Sequence, residues 1–149
     1  MIKNNWKKAF MDAAVRFSQE SYAKRLKVGA IIIKNDRIIS IGINGMPSGW
    51  DNDCETVTET INPTGKIVEI TTKSKPEVLH AETNAIAKLA RGSESGENAS
   101  IFITHSPCLD CAKLIYQAGI SNVYYKEPYR SSDGINFLKN CNLVVEQLN

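Results

Sequence analysis

The second half of the chain alternates between helical and strand patterns, and this alternation restricts the fold more than any other feature. Two of the helical segments end at glycines, Gly92 and Gly119, and the strand segments are short and rich in β-branched and aromatic residues. In order, the segments are a helix 80–91, a strand 99–105, a helix 108–118, a strand 122–126, a helix near 132–140 and a strand 142–148. Strands separated by helices pair in parallel through right-handed crossovers. The sequence therefore predicts a sheet whose last strands are parallel.

The first half predicts one helix and one hairpin. Apolar residues recur at three- and four-residue steps from residue 4 to about residue 22, which indicates a helix with one buried face. Two isoleucine-rich segments, 28–34 and 37–43, flank the turn pair Asn35 and Asp36 and predict a β-hairpin. Together the two halves predict an α/β fold in three layers, with helices on both faces of a mixed five-stranded sheet.

Residues 45–77 form a long connection rich in Gly, Pro, Asn, Asp and Thr, with one weak strand pattern, KIVEITT, at 66–72. Such a long connection in a small protein is usually functional or mobile. We interpret it as a variable insert in a single domain that spans residues 1–149, a size that can bury one core.

Composition narrows the function classes. Hydrophobic residues are 42% and charged residues 23% of the chain, as in ordinary globular proteins. The net charge of +2 gives little support for a long nucleic-acid footprint, so no nucleic-acid partner is expected. No apolar run is long enough to span a membrane and the first residues lack a signal-peptide core, so we expect no membrane association and a cytoplasmic protein. In that reducing compartment the four cysteines are free thiols or metal ligands.

Cys108 and Cys111 stand three residues apart at the start of a helix, a spacing that lets both thiolates bind one tetrahedral ion. His80, also at a helix start, is the natural third ligand. Three protein ligands leave a fourth position open for water, as in catalytic zinc sites. Glu82 is badly placed to bind the same ion as His80, but it can reach a water on that ion and take up its proton.

The spacing of these residues alone also allows other interpretations. A C-x-x-C pair also occurs in redox proteins, and a histidine at a helix start is often a cap or a core residue. A closed structural zinc site would need a fourth ligand, for which the soft candidates are His105, Cys54 and Cys141. A redox pair, however, leaves His80 and Glu82 without a role.

Three stretches of the sequence carry a specific resemblance. H-x-E followed by P-C-x-x-C is the signature of zinc-dependent nucleoside and nucleotide deaminases. More narrowly, HAETNAIAKLA, SPCLDCAKLIYQAGI and IISIGINGMPSG resemble deoxycytidylate (dCMP) deaminases, including viral ones, over the chain from about residue 24 to the end. The resemblance implies a cytidine-deaminase-like fold and hydrolytic deamination of dCMP to dUMP and ammonia by a zinc-bound hydroxide, which would supply dUMP for thymidylate synthesis. If the source is viral, the compartment is the host cytoplasm.

The resemblance also assigns residues around the reaction centre. His80, Cys108 and Cys111 are expected to bind one zinc ion per chain, and Glu82 to act as the acid and base. The expected substrate contacts are Val28, Asn44, Ala81, Ser106 and Tyr129, although each of these residues also fits a packing or turn role. Nearby cations that suit the phosphate are Lys24, Arg25 and Lys27, which also fit a solvated surface.

The loop GINGMPSG resembles a motif that helps regulated members of the family to bind a nucleoside triphosphate with Mg²⁺, dCTP as activator and dTTP as inhibitor. The residues that match this effector motif are Gly42, Asn44, Gly45, Met46 and Pro47, with Ile43 in place of a tyrosine. Regulated relatives are hexamers, so a hexamer is expected here. Some phage relatives hold a second zinc, but Tyr22 stands near a position where those have cysteine, so Cys54 is not expected to bind one.

Three rival functions remain. A tRNA adenosine deaminase shares both zinc motifs, but the NGMPSG loop and the low net charge favour the mononucleotide enzyme. A free cytidine deaminase joins its last strands as a hairpin, whereas a helix is predicted between the last strands here. A zinc-stabilised binding module would use the same ligands without any need for Glu82.

Overall fold

The computed structural model describes residues 2–149 and contains four helices and seven strands in that range. They are α1 (Asn4–Ser18), β1 (Gly29–Lys34), β2 (Arg37–Ile43), β3 (Glu55–Ile61), β4 (Ile67–Ser74), α2 (Ala81–Ala90), β5 (Ser100–His105), α3 (Leu109–Gln117), β6 (Asn122–Glu127), α4 (Asp133–Asn140) and β7 (Val144–Gln147). None of these helices is long and apolar enough to cross a membrane.

Five of the strands form one mixed sheet in the order β2-β1-β5-β6-β7. Strand β1 is antiparallel to both of its neighbours, β2 and β5, whereas the central strand β5 is parallel to β6, and β6 is parallel to β7. The predicted five-stranded sheet with parallel last strands is confirmed. The predicted tight hairpin is confirmed as well, since Asn35 and Asp36 adopt φ angles of 51° and 59°, as a two-residue turn with left-handed backbone requires.

Helices cover both faces of this sheet, because the central strands bury side chains on each side. Phe10 and Met11 of α1 pack with Ile31 and Phe102 on one face. The opposite face packs against α2 and α3, through a cluster that includes Ala85, Ile101, Ile103, Ile115 and Leu138. Alternate residues of β1 and β5 therefore point into different cores, and the predicted three-layer arrangement is confirmed.

Two expectations need correction. The first helix was expected to continue to about residue 22 but ends at Ser18, and the Ser21 hydroxyl then donates a hydrogen bond to the Asn44 carbonyl (2.8 Å). The insert was expected to contain one weak strand, which is β4, but it contains two, because β3 pairs with β4 in a separate antiparallel hairpin. Apart from Glu55, both strands of this hairpin are exposed on each face, so they lack the burial pattern that identifies strands in a sequence.

Candidate active site

The two predicted metal-binding segments meet because two glycines allow unusually close packing of backbones. Gly42 of β2 lies directly against the first turn of α2: an added Cβ would meet the Ala81 carbonyl and lie 2.6 Å from the Ala85 nitrogen. Gly134 of α4 lies in the same way against Pro107 and Cys108, where an added Cβ would be 2.9 Å from the Cys108 carbonyl oxygen. These contacts fix the starts of α2 and α3, whose N-cap residues are His80 and Cys108.

His80, Cys108 and Cys111 bring their donor atoms together, all within 4.8 Å of one another. His80 Nδ1 lies 3.3 Å from Cys111 Sγ and 3.7 Å from Cys108 Sγ. Ligands of a tetrahedral zinc ion, at about 2.3 Å for sulfur and about 2.0–2.1 Å for nitrogen, lie about 3.5–3.8 Å apart. The distances and the donor chemistry therefore fit zinc.

Hydrogen bonds among these three groups shift their pKa values in different directions. Hydrogen bonds from Cys111 and His80 lower the pKa of Cys108 to about 4, so this thiol ionises readily. The same hydrogen bond with Cys108, together with burial, raises the pKa of Cys111. The hydrogen bond to Cys108 also raises the pKa of His80. A zinc ion would displace the protons that Cys111 and His80 retain, so metal binding here releases protons.

No fourth histidine, cysteine or carboxylate between residues 2 and 149 joins this cluster. His105, Cys54 and Cys141, the candidates for closing a structural site, lie outside it. A zinc ion on these three ligands would keep one open position, which is the arrangement of catalytic rather than structural zinc.

Glu82 lies in the first turn of α2 with only 5% of its surface exposed, next to the cluster but not part of it. Burial raises the pKa of its carboxyl group to about 6. A carboxyl group with a pKa near the working pH both takes up and releases protons, as general acid–base catalysis requires.

The cluster opens into a cleft of about 260 Å³ that brings the predicted substrate residues together. All five of them line it, namely Val28, Asn44, Ala81, Ser106 and Tyr129, alongside His80, Glu82 and Cys108. Two of the five also organise the walls. The Asn44 side chain accepts from the Val28 amide (2.9 Å) and donates to the Leu26 carbonyl (2.7 Å), and the Ser106 hydroxyl accepts from the Tyr129 amide (2.7 Å).

The predicted effector residues lie elsewhere, except for Asn44. Gly42 is buried beneath α2, and Gly45 pairs with Leu79 through two backbone hydrogen bonds of 3.0 and 2.8 Å. Met46 and Pro47 are half-buried in the loop that follows. Gly42, Gly45, Met46 and Pro47 do not line the cleft, so among the predicted effector residues Asn44 alone adjoins the candidate reaction centre.

Sequence reasoning missed one wall of the cleft. The residues it did not identify are Leu26, Ser74, Lys75, Pro76, Val78 and His105, and Arg25 was identified only as a nearby cation. Most of them belong to or follow β4, so their position depends on how the hairpin folds back. The exceptions are Arg25 and Leu26, which precede β1, and His105, three residues before Cys108, whose Nδ1 lies 3.0 Å from the Thr104 hydroxyl.

The fold and the donor cluster together define the class of zinc-dependent deaminases. The family profile described as "Cytidine and deoxycytidylate deaminase zinc-binding region" matches residues 4–127. The chain therefore belongs to the cytidine and deoxycytidylate deaminase family, which confirms the resemblance seen in the sequence.

Individual relatives agree with this assignment. The crystal structure of dCMP deaminase from cyanophage S-TIM5 in complex with dCMP and dUMP is 44% identical, with a TM-score of 0.87, and covers 99% of this chain and 100% of that chain. Deoxycytidylate deaminase of Enterobacteria phage T4 is 37% identical over 150 residues, with 80% of this chain and 76% of the phage protein covered. Deoxycytidylate deaminase of Homo sapiens is 36% identical over 131 residues, with coverages of 86% and 68%.

Proposed function

We propose that this protein deaminates dCMP to dUMP and ammonia. The observation that carries the proposal is the cleft itself: the zinc-fitting cluster, the buried Glu82 and all five predicted substrate residues line or adjoin one cavity. The similarity to a phage enzyme whose structure contains dCMP and dUMP supports the same substrate.

His80, Cys108 and Cys111 would hold the zinc ion, and the ion would lower the pKa of a bound water to about 7. Glu82 would accept one proton of the attacking water and deliver it to ring nitrogen N3, and would then carry the second proton of that water, from the hydroxyl group now on C4, to the departing amino group. A bond forms between the water oxygen and C4, the bond from C4 to the amino nitrogen breaks, and ammonia leaves. Glu82 can serve both steps because its pKa of about 6 favours proton exchange near neutral pH.

The phosphate of dCMP is proposed to lie at the mouth of the cleft, where Arg25 and Lys75 are lining residues. Guanidinium and ammonium groups are the usual partners of phosphate in proteins. Lys24 and Lys27, the other predicted cations, do not line the cleft, so we assign the phosphate to Arg25 and Lys75.

The proposal extends to regulation, assembly and physiological role. We propose that the loop at residues 42–47 binds dCTP or dTTP with Mg²⁺, and the position of Gly42, Gly45, Met46 and Pro47 outside the cleft is compatible with an effector site that adjoins the cleft at Asn44. The protein is further proposed to be a single cytoplasmic domain with a variable insert, to assemble as a hexamer, and to supply dUMP for thymidylate synthesis. Light scattering would test the hexamer, and kinetics with dCTP and dTTP would test the effector site.

The decisive experiment follows ammonia release and the fall in cytosine absorbance with zinc-replete protein. Substrates to compare are dCMP, deoxycytidine, dCTP and a tRNA anticodon stem-loop, each at the same concentration. We expect the highest kcat/KM with dCMP. Turnover of the stem-loop alone would identify an RNA deaminase, and no turnover of any of them with zinc bound would favour the non-catalytic module.

A further inference from the structure

We propose that Glu55, the first residue of the β3–β4 hairpin, is a positioning residue that holds Arg25 in the cleft and so sets the preference for a nucleotide over a nucleoside. This inference rests on the proposed function, because it assumes that Arg25 meets the substrate phosphate.

Glu55 is a buried carboxylate, only 5% exposed, on a hairpin that is otherwise exposed. Its Oε1 accepts hydrogen bonds from the backbone amides of Lys24 (2.8 Å) and Arg25 (3.0 Å). Its Oε2 is buried as well and has no hydrogen-bond partner within the described part of the chain. Burying a carboxylate with one unsatisfied oxygen costs free energy, so packing alone does not account for this residue.

Side-chain contacts fix the backbone of the segment that Glu55 contacts. It connects α1, which ends at Ser18, to β1, which begins at Gly29, and no helix or strand lies between them. Its first part is held by Ser21, whose hydroxyl accepts from the Ala23 amide (3.2 Å) and donates to the Asn44 carbonyl (2.8 Å). Asn44 anchors its last part through Leu26 and Val28, whereas Glu55 anchors Lys24 and Arg25. Removing Glu55 therefore leaves two amides without their acceptor and frees the backbone from which the Arg25 side chain extends.

The hairpin contacts both the backbone and the guanidinium group of Arg25. Glu55 and Ser74 are partners in the β3–β4 register, so they lie opposite each other at the root of the hairpin. Glu55 binds the Arg25 backbone, and Ser74 Oγ lies 3.5 Å from Arg25 Nη1. Arg25 and Ser74 both line the cleft. The insert thus aims the guanidinium group at the place where we assign the phosphate.

A guanidinium group binds phosphate through paired hydrogen bonds, whose strength depends on its orientation. A nucleotide carries this phosphate and a nucleoside lacks it. Disturbing the orientation of Arg25 should therefore weaken the binding of dCMP. The contacts of the base and sugar, which dCMP and deoxycytidine share, should be unaffected. A side chain that only stabilised the fold would change both substrates alike.

The test compares kcat and KM for dCMP and deoxycytidine in wild type, Glu55→Ala and Glu55→Gln, with zinc content and thermal midpoint measured for each. We expect Glu55→Ala to raise the KM for dCMP about tenfold, and to change the KM for deoxycytidine less than about twofold, at an unchanged zinc content. Glu55→Gln keeps an oxygen that accepts from both amides, so its KM for dCMP should lie between those of the other two. Glu59→Ala is the matched control, since Glu59 is exposed on the same strand.

A double-mutant cycle with Arg25→Ala separates positioning from a general effect. If Glu55 acts through Arg25, Glu55→Ala should add less than about twofold to the KM for dCMP in the Arg25→Ala background. Additive effects, or equal effects on both substrates, would overturn the inference. If the wild type prefers dCMP and Glu55→Ala keeps this preference, the inference about Glu55 is wrong but the proposed substrate stands. If the wild type does not prefer dCMP, the proposed substrate is contradicted as well.

Discussion

At the scale of single residues, Glu82 separates a deaminase from a zinc-binding module. It is buried beside the donor cluster but is not one of its members, so its side chain is available for proton transfer. We expect Glu82→Gln to bind zinc at the wild-type stoichiometry and to lower kcat for dCMP about 10²–10⁴-fold, the usual contribution of a general acid or base. Ammonia release and metal analysis on the same sample measure both quantities.

Glu77→Gln is the control for Glu82, because Glu77 is exposed, lies five residues earlier and does not line the cleft. It should keep both zinc and turnover. If Glu82→Gln lost its zinc, the residue would be needed for the metal site rather than for proton transfer.

At His105, a cleft residue outside the donor cluster, we expect a pH effect on stability. Burial lowers its pKa below the ordinary value of 6.5, an effect partly opposed by the negative charge of Glu127. A histidine with a lowered folded-state pKa is protonated more readily in the unfolded chain, so its stabilising effect is present above pH 6.5 and is lost as the pH falls. Between pH 7 and 5, the free energy of unfolding should therefore fall more steeply for wild type than for His105→Gln.

Chemical denaturation of both proteins at several pH values measures this difference. The metal-binding groups titrate in both proteins, so their effect cancels when the two curves are subtracted. Parallel curves would mean that the folded protein protonates His105 as readily as the unfolded chain does.

At the scale of elements, the position of α2 depends on the absence of a side chain at Gly42. A methyl group there would press into the α2 backbone at Ala81 and Ala85, which cannot move without displacing His80 and Glu82. We expect Gly42→Ala to lower the free energy of unfolding by about 2 kcal/mol or more and to reduce zinc occupancy. Gly45→Ala is the matched control, since an added Cβ at Gly45 has no neighbour within 4 Å. Equal stability of the two variants would contradict this account of the packing.

Elements with a buried face were predictable from the sequence, and the insert was not. β1 and β5 consist mainly of buried apolar residues, and α2 carries apolar residues at helical spacing, so periodicity locates all three. In β3, three threonines and two glutamates leave Val57 and Ile61 as the apolar residues, and both of these are exposed, so no burial pattern marks the strand.

Some residues of the candidate site were also predictable from the sequence, and others were not. His80 and Glu82 are close in sequence, as are Cys108 and Cys111, so short motifs reveal them. The cleft residues in and after β4 reach the cleft only through tertiary contacts. One such contact is the hydrogen bond from the Arg25 amide to Glu55, which joins segments 30 residues apart. Local sequence patterns do not encode such a contact.

At the scale of the whole molecule, an ion pair joins the first helix to the last strand across the sheet. Lys7 Nζ lies 2.8 Å from Glu146 Oε2 and 4.9 Å from the centre of the Tyr124 ring, which in turn stacks on Phe102 in the core. The Lys7 side chain is 12% exposed and that of Glu146 is 43% exposed, so the pair is only partly screened by water. It therefore links the two ends of the chain to the same core.

We expect a double-mutant cycle of Lys7→Met and Glu146→Gln to give a coupling free energy of about 0.5–1 kcal/mol at pH 7. The hydrogen bond to Glu146 raises the pKa of Lys7 above 10.5, so the stabilisation is fully present below that pH and is lost as the pH rises through the folded-state pKa. Denaturant titrations of the four proteins at pH 7 and above pH 11 measure both effects. A coupling that is absent at pH 7, or that persists undiminished at the higher pH, would show that α1 is held to the sheet by its apolar contacts alone.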